Sequence, residues 1–216
     1  MRRMVVALAV AAMPLCTSRA AAQVEIAPFF GTFWPLGAGW SQDVGLAQQV
    51  ERRHIGALMA GARLAFWTST RLGVEATVGF SPSQVAVSGP GRIQDITAGV
   101  MLSSVRVLAR LATLTDGNPG SGVAHWDFNA GIGVGVIARR GSAWANITGT
   151  THPAAVLNLE TRTPLAGDVT MRVGVEDFVS WATFDRGLPS ETRSRVQHDI
   201  ILTLAAQIRL GGGTAR

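Results

Sequence analysis

This chain of 216 residues has few charged residues and lacks lysine and tyrosine altogether. Charged residues make up 15 % of it, against about 25 % in an average soluble domain. There is no Lys and no Tyr, so all 19 basic residues are Arg, and the formal net charge is only +5. Arg inflates the isoelectric point because it titrates at very high pH. No basic run exceeds two residues, which argues against a nucleic-acid-binding tract.

Cysteine and long apolar runs are also scarce. The single Cys, Cys16, lies near the N-terminus, so a mature chain that begins beyond it has no disulfide and no Cys-based metal site. After residue 23 no apolar run reaches 18 residues, and Arg63 interrupts the nearest one, Ile55 to Trp67. A membrane-spanning helix needs about 20 apolar residues, so helical spans are excluded.

The N-terminus has the pattern of a secretory signal peptide. Arg2 and Arg3 precede a short apolar run from Met4 to Leu15, and three alanines at 20–22 provide a small-residue cleavage site. We therefore predict a signal peptide over 1–22 and a mature chain from Gln23. A membrane anchor is the alternative, but the run is short for a span. A lipoprotein leader is another, and Leu15 is a poor match to the small residue needed before Cys16.

The rest of the chain repeats segments of about ten residues in which apolar and polar side chains alternate. In 72–81, for example, Leu72, Val74 and Ala76 alternate with Gly73, Glu75 and Thr77. A period of two indicates a strand. Eight such segments occur, at about 24–34, 55–67, 72–81, 94–111, 125–138, 154–163, 169–181 and 198–210. In the fourth, the alternation slips near Ser103 and Ser104, which predicts a β-bulge there.

The connections alternate between long and short. The segments 35–54, 82–93, 139–153 and 182–197 are long and polar, 68–71 and 164–168 are short, and 112–124 is intermediate. Outer-membrane barrels have long external loops and short periplasmic turns. The pattern therefore predicts an all-β fold: an eight-stranded antiparallel up-and-down transmembrane β-barrel over 23–210, with a short tail at 211–216 and both termini in the periplasm.

Charged residues fall on the polar face of the predicted strands, which we expect to line the lumen. This face carries six acids and six arginines: Glu25, Glu75, Asp127, Glu160, Glu176, Asp199, Arg63, Arg106, Arg110, Arg162, Arg172 and Arg209. A charge facing lipid at mid-depth costs about 2–4 kcal/mol for Arg, whereas charges in a narrow lumen can pair. From hairpin geometry we predict two structural pairs, Arg63 with Glu75 and Glu160 with Arg172. We predict a third pair, Glu25 with Arg209, because both residues lie at the periplasmic ends of the first and last strands, where the barrel closes.

Aromatic residues fall near both ends of the predicted strands. Trp34, Phe80, Trp181 and Phe184 lie at the outer ends, and Phe66, Trp67 and Trp126 at the inner ends. Two aromatic girdles are typical of a membrane barrel. The alternative is the core of a soluble antiparallel β-protein, which also alternates.

In its order of segments the chain resembles the small outer-membrane β-barrel family of eight-stranded OmpA/OmpX-like barrels. The resemblance rests on the leader, the opening strand at 24–31, the hairpin at 63–81, the strand at 129–135 and the closing strand at 206–210. It implies insertion by the barrel-assembly machinery and no single activity, since members are anchors, adhesins, small pores or, rarely, lipid-modifying enzymes. Two departures are that the last strand ends on Leu210 rather than an aromatic residue, and that Tyr is absent.

No residue pattern predicts catalysis, a cofactor or a metal site. Three of the four histidines, His54, His152 and His198, fall near the outer rim on different segments, without spacing that imposes a catalytic geometry. The GIGVG run at 131–135 lacks the spacing of a dinucleotide fingerprint. We therefore expect no enzyme.

Arginines cluster in the predicted outer loops. Because Arg binds phosphate bidentately, we expect a rim that contacts phosphorylated outer-leaflet lipid such as lipopolysaccharide. Its members would be Arg52, Arg53, Arg139, Arg140, Arg193 and Arg195. The alternative is a solvated surface of mixed charge.

Three functions follow from these patterns. The first is an integral outer-membrane barrel with a structural or surface-interaction role and a side-chain-filled lumen. The second is a narrow passive pore or transporter of small solutes, favoured by six lumen-facing glycines (Gly61, Gly73, Gly79, Gly131, Gly133 and Gly135). The third is a soluble periplasmic lipid-binding barrel, whose outside would be polar. The oligomeric state is not predicted.

Overall fold

The computed structural model describes residues 23–36, 39–43, 49–89, 92–115, 125–145, 149–184 and 193–210. The predicted signal peptide (1–22) and C-terminal tail (211–216) lie outside the described residues and stay predictions. Within the described ranges no helix is long and apolar enough to cross a bilayer.

Eight long antiparallel strands form a closed barrel, as the alternating segments predict. Around the barrel the order is β1-β12-β11-β10-β9-β8-β5-β4, and β4 pairs with β1 to close the ring. The barrel strands are β1 (Gln23–Leu36), β4 (Ala57–Trp67), β5 (Leu72–Ser81), β8 (Gly99–Thr115), β9 (His125–Arg140), β10 (Thr151–Ala166), β11 (Val169–Phe184) and β12 (Arg193–Leu210). We call the end that holds Gln23 and Leu210 the lower end, and the opposite end the upper end.

A second sheet of four strands extends the upper end. It has the order β2-β3-β6-β7, formed by β2 (Gly39–Asp43), β3 (Gln49–Ile55), β6 (Gln84–Gly89) and β7 (Arg92–Thr97). We predicted 35–54 and 82–93 as long polar connections, and the strands that they contain were not predicted. Two hairpins from separate connections pair with each other through β3 and β6, with His54 opposite Val85. A single segment carries no sign of such pairing between distant connections.

The predicted bulge near Ser103 and Ser104 was also wrong. The in–out alternation continues without a break past Ser103 and Ser104, with Val100, Leu102 and Ser104 all buried. The irregularity in β8 lies further along, between Arg110 and Ala112. The polar–apolar pattern changes near Ser103 and Ser104 because the upper lumen is lined with apolar side chains. At this point the lumen-facing side chains of β8 change from apolar to polar, and the strand continues without a bulge.

The lower end is closed by compact turns. Between β4 and β5 the hydroxyl of Ser69 accepts hydrogen bonds from the backbone N–H of Leu72 (3.0 Å) and Arg71 (3.3 Å). Between β10 and β11, Gly167 has φ +55°, a left-handed conformation that glycine adopts without strain. These tight turns place neighbouring strands in antiparallel register over most of their length.

Candidate functional site

The outer wall of the barrel is apolar on every strand. Outward-facing side chains include Leu58 (72 % exposed), Ile132 (65 %), Val134 (71 %) and Leu159 (58 %). Soluble monomers rarely expose continuous apolar patches of more than a few hundred Å². A belt that runs around the whole barrel is the surface expected of a protein surrounded by hydrocarbon.

Among the described residues, few charged groups interrupt this belt. Toward the upper ends of β11 and β12, His198 Nδ1 and Asp177 Oδ2 lie 2.7 Å apart on the outside. Arg140 is exposed at the upper end of β9. Both features lie toward the upper end of the wall.

The aromatic residues follow the prediction in part. Trp34, Phe80 and Trp181 are exposed toward the upper end, and Phe66 is exposed at the lower end. Trp67 was placed wrongly in the lower girdle. Its indole faces the lumen, where Nε1 donates a 2.7 Å hydrogen bond to Glu25.

The lower and middle lumen holds a network of buried ion pairs. Glu75 on β5 lies directly opposite Arg106 on β8, and the two side chains are paired. Arg106 also reaches across the lumen to Glu176 on β11, with Nη1 to Oε2 at 2.5 Å. Arg63 on β4 pairs with the same Glu176 and donates a 2.7 Å hydrogen bond to Thr203. The contacts of Arg106 and Arg63 with Glu176, and of Arg63 with Thr203, join strands that are not neighbours in the wall.

The network continues downward through Arg172. This side chain lies 2.6 Å from Glu75 and also pairs with Glu160. Glu160 in turn lies 2.7 Å from Arg162, which lies 3.1 Å from Glu25. The chain of contacts therefore runs from the middle of the lumen to Glu25 near the lower end.

The network is balanced in charge and removed from solvent. Four carboxylates face four guanidinium groups, and each of the eight side chains is 5 % exposed or less: Glu25, Glu75, Glu160, Glu176, Arg63, Arg106, Arg162 and Arg172. Buried charges are tolerated when they are paired and hydrogen-bonded. Removing one partner typically costs 3–5 kcal/mol, because the other charge is left uncompensated.

An apolar layer fills the lumen above the network. It is made of inward-facing side chains from at least six strands, among them Phe29, Phe33, Met59, Val100, Leu102, Ile137, Val156, Phe178 and Ile201. Phe33, Val100, Ile137, Val156 and Phe178 are each 0 % exposed. The ionic network and the apolar layer are thus two successive barriers along the barrel axis.

The lumen-facing glycines make room for these large side chains. A Cβ added at Gly61 would lie 2.5 Å from the Phe29 ring, and one at Gly131 would lie 2.8 Å from Leu108 Cδ2. One at Gly135 would lie 2.9 Å from the Phe178 ring. At these three positions the space is already occupied, so the glycines do not widen a pore.

Above the apolar layer lies a second buried ion pair. Arg139 Nη2 is 2.6 Å from Asp199 Oδ2, and Gln197 donates a 3.1 Å hydrogen bond to the same carboxylate. We predicted Arg139 at the lipid-contacting rim, and this was wrong, since the side chain is 1 % exposed. The physical reason is that β9 continues to Arg140, so strand alternation turns Arg139 inward and Arg140 outward.

The upper sheet and a single 3₁₀ turn (Ser142–Trp144) cover this region. The His54 ring lies 5.5 Å from Phe33 and packs edge-on against Trp144 at 5.8 Å. Trp144 is also buried with Val85 of β6. Burial, reinforced by the positive charge of Arg139, lowers the pKa of His54 to about 4. The imidazole is therefore held neutral in the folded protein.

Two of the three predicted lumen pairs, Arg63 with Glu75 and Glu160 with Arg172, are in contact, but their strand register differs from the prediction. Arg63 lies opposite Thr77, two residues from the predicted partner, and its Nε is 3.9 Å from Glu75. Arg172 lies opposite Arg162 rather than Glu160. Both register predictions were wrong by two residues, because the register depends on turn geometry that the turn residues alone do not fix.

The third predicted pair, Glu25 with Arg209, has the predicted register, but the two side chains lie in different surroundings. Glu25 lies opposite Arg209 at the seam between β1 and β12, as predicted. Arg209 is exposed at the lower mouth, while Glu25 is buried and contacts Arg162 and Trp67. The sequence placed Arg106 and Glu176 on the lumen face but did not pair them, since their contact crosses the lumen.

The remaining rim arginines lie on strands. Arg52 and Arg53 belong to β3, and Arg193 and Arg195 belong to the start of β12. Their side chains lie outside the described part of the structure. Arg140 is the rim residue whose described side chain is exposed.

This geometry defines a closed eight-stranded barrel with an apolar exterior and an ionic interior, which is the architecture of small outer-membrane barrels. No protein-family profile and no curated protein sequence matches the chain. Solved structures that share the fold include two outer membrane proteins. The outer membrane protein OprG from Pseudomonas aeruginosa aligns with a TM-score of 0.59 at 12 % identity, over 89 % of this chain and 97 % of that one. The outer membrane protein AlkL, determined in DMPC lipid bilayers, aligns with a TM-score of 0.59 at 15 % identity, over 94 % and 98 %.

Proposed function

We propose that this protein is a non-enzymatic integral outer-membrane barrel with a closed lumen, which holds the upper sheet at the cell surface. The observation that supports this proposal is the polarity of the wall, which has exposed apolar side chains outside and paired charges inside. The long connections emerge at the upper end, which is the extracellular end in outer-membrane barrels. The surface role would therefore belong to the upper sheet.

The polarity of the wall disfavours the soluble lipid-binding barrel. Such a protein needs a polar exterior and an apolar cavity. Here Glu75, Glu160 and Arg172 point inward and are buried, while the outside is apolar. In water this exterior would drive aggregation, whereas in a bilayer it faces hydrocarbon.

The filled lumen disfavours the pore. An eight-stranded barrel has an interior just wide enough for side chains to fill, and here both the ionic network and the apolar layer fill it. Arg106 and Arg63 each contact Glu176 across the lumen. An ion entering from either end would have to break buried ion pairs and then pass an apolar constriction.

Two measurements on the purified mature chain test this function. In flotation through a density gradient, we expect the protein to rise with liposomes and to resist extraction by carbonate. In planar bilayers, we expect no steady current after incorporation, with a general porin as the positive control. Recovery in the soluble fraction would refute the membrane assignment, and ohmic current would refute the closed lumen.

The exposed position of Arg140 supports contact with phosphorylated lipid at the upper rim. Its guanidinium is available to a phosphate, unlike that of the buried Arg139. We expect Arg140→Ser to reduce co-purification of lipopolysaccharide and Arg71→Ser, an exposed Arg at the lower end, to leave it unchanged. Equal retention by both variants would refute this contact.

Export through a cleaved leader is part of the same proposal. We expect N-terminal sequencing of the protein isolated from the cell envelope to begin at Gln23. A chain that keeps its first residues would refute the cleavage and favour an anchor.

A further inference from the structure

The seam between β1 and β12 contains a local break in its ladder. Register pairs run from Val24 to Ile26 and resume at Phe29, opposite Ala205, so Ala27 and Pro28 are skipped. Proline has no backbone N–H and cannot donate to a ladder. The backbone pairing between β1 and β12 is therefore interrupted about five residues above the lower end of β1.

An apolar cleft of about 400 Å³ lies at this break. Its walls include Pro28 and Phe30 on β1, Leu204 and Ala206 on β12, and Met171 on β11. Phe30 is 62 % exposed, so the cleft opens on the outer face of the barrel. The volume falls within the range of about 300–1,000 Å³ that is typical of small-molecule sites.

The cleft is closed toward the lumen by an aromatic ring. Phe29 lines it and is 5 % exposed, and the guanidinium carbon of Arg63 lies 4.8 Å from the centre of that ring. The ring therefore separates the cleft from the ionic network. On the outer side the small side chain of Ala206, opposite Met171, leaves the space unfilled.

We propose that this cleft binds an acyl chain of a membrane phospholipid, an inference that rests on the proposed membrane location. The cleft opens on the apolar outer wall, so a group that dissolves in hydrocarbon can reach it. A flexible acyl chain fits a concave cleft better than the convex wall of a second barrel does, and it gains dispersion contacts that an empty space forfeits.

Lipid retention measures this binding directly. The full mature protein is reconstituted in nanodiscs of dioleoyl phosphatidylglycerol, released into mild detergent and examined by native mass spectrometry. We expect the wild type to keep a bound phospholipid. Ala206→Phe fills the cleft, and Met171→Trp narrows it from the neighbouring strand. We expect both to lower the retained fraction several-fold.

The matched control is Ala76→Phe, an outward-facing alanine on β5 that does not line the cleft. We expect it to retain lipid like the wild type. Folding of each variant is checked by the shift of the unheated protein in gel electrophoresis, and Met171→Trp decides if Ala206→Phe fails to fold.

Equal retention by wild type, Met171→Trp and Ala76→Phe would overturn the site. In a parallel sample with oleate added before release, retention of oleate in place of phospholipid would also overturn it. Failure of the wild type to enter nanodiscs would instead refute the proposed function. Entry without specific retention refutes only the cleft.

Discussion

Removing Arg106 is the sharpest test of the ionic network. Its side chain is fully buried, pairs with Glu75 and lies 2.5 Å from Glu176. Arg106→Met keeps much of the aliphatic volume but leaves two buried carboxylates short of one positive charge. Breaking a buried pair in this way typically costs about 3–5 kcal/mol. We therefore expect the free energy of unfolding from a lipid bilayer to fall by about this amount.

A double-mutant cycle separates the loss of the pair from the loss of packing. Glu176→Gln alone should also destabilise, since it removes a partner from both Arg63 and Arg106. The double variant Arg106→Met/Glu176→Gln restores neutrality. We therefore expect its cost to fall below the sum of the two single costs by about 0.5–3 kcal/mol, the range of coupling between contacting residues.

The assay is equilibrium unfolding in urea from phospholipid vesicles, followed by tryptophan fluorescence. The control is Arg71→Met, an exposed turn residue, which should change the unfolding free energy by less than about 0.5 kcal/mol. The reasoning is refuted if Arg106→Met is as stable as the control, or if the two single costs simply add in the double variant.

Three further predictions concern the upper sheet, the seam between β1 and β12, and the apolar layer. Because the pKa of His54 falls from its usual value near 6.5 to about 4 in the folded state, the unfolded chain binds the proton more readily. Stability is then full above pH 6.5 and declines as the pH falls toward 4, by up to about 3 kcal/mol. His54→Phe should flatten this part of the urea-midpoint profile, and an unchanged slope would contradict the assignment. Gly31→Ala should destabilise the barrel by about 1–3 kcal/mol, because its Cβ would overlap the Leu202 carbonyl oxygen; a wild-type urea midpoint would argue against this close approach. Phe178→Ala should cost about 3–5 kcal/mol in the same assay but leave planar bilayers without current, since the ionic network remains, and steady current would show that the apolar layer alone closes the lumen.

The in–out parity of most barrel strands was predictable from local patterning. In β5, Val78 and Phe80 face out while Glu75 and Thr77 face in, as their alternation indicated. The reason is that strand geometry fixes which side chains share a face, and hydrocarbon excludes charge from the outer one. Lumen placement of Glu160 and Arg172 followed from the same rule.

The errors arose where local patterning carries no information. Val100 and Leu102 are apolar yet face inward. A prediction based on side-chain polarity therefore put the irregularity of β8 in the wrong place. Arg139 was assigned to a loop because no sequence feature marks how far β9 extends. Register depends on turn geometry, and a shift of two residues moved Arg63 from Glu75 to Thr77.

Period-two alternation, low charge and alternating connection lengths were enough by themselves to determine an eight-stranded barrel that is apolar outside and ionic inside, because each is a short-range consequence of strand geometry and solvation. Only the tertiary structure decided which charges meet across the lumen, how two distant connections pair into the upper sheet, and where the seam beside Pro28 opens. These features depend on closure of the ring, which brings together residues that are far apart in the chain.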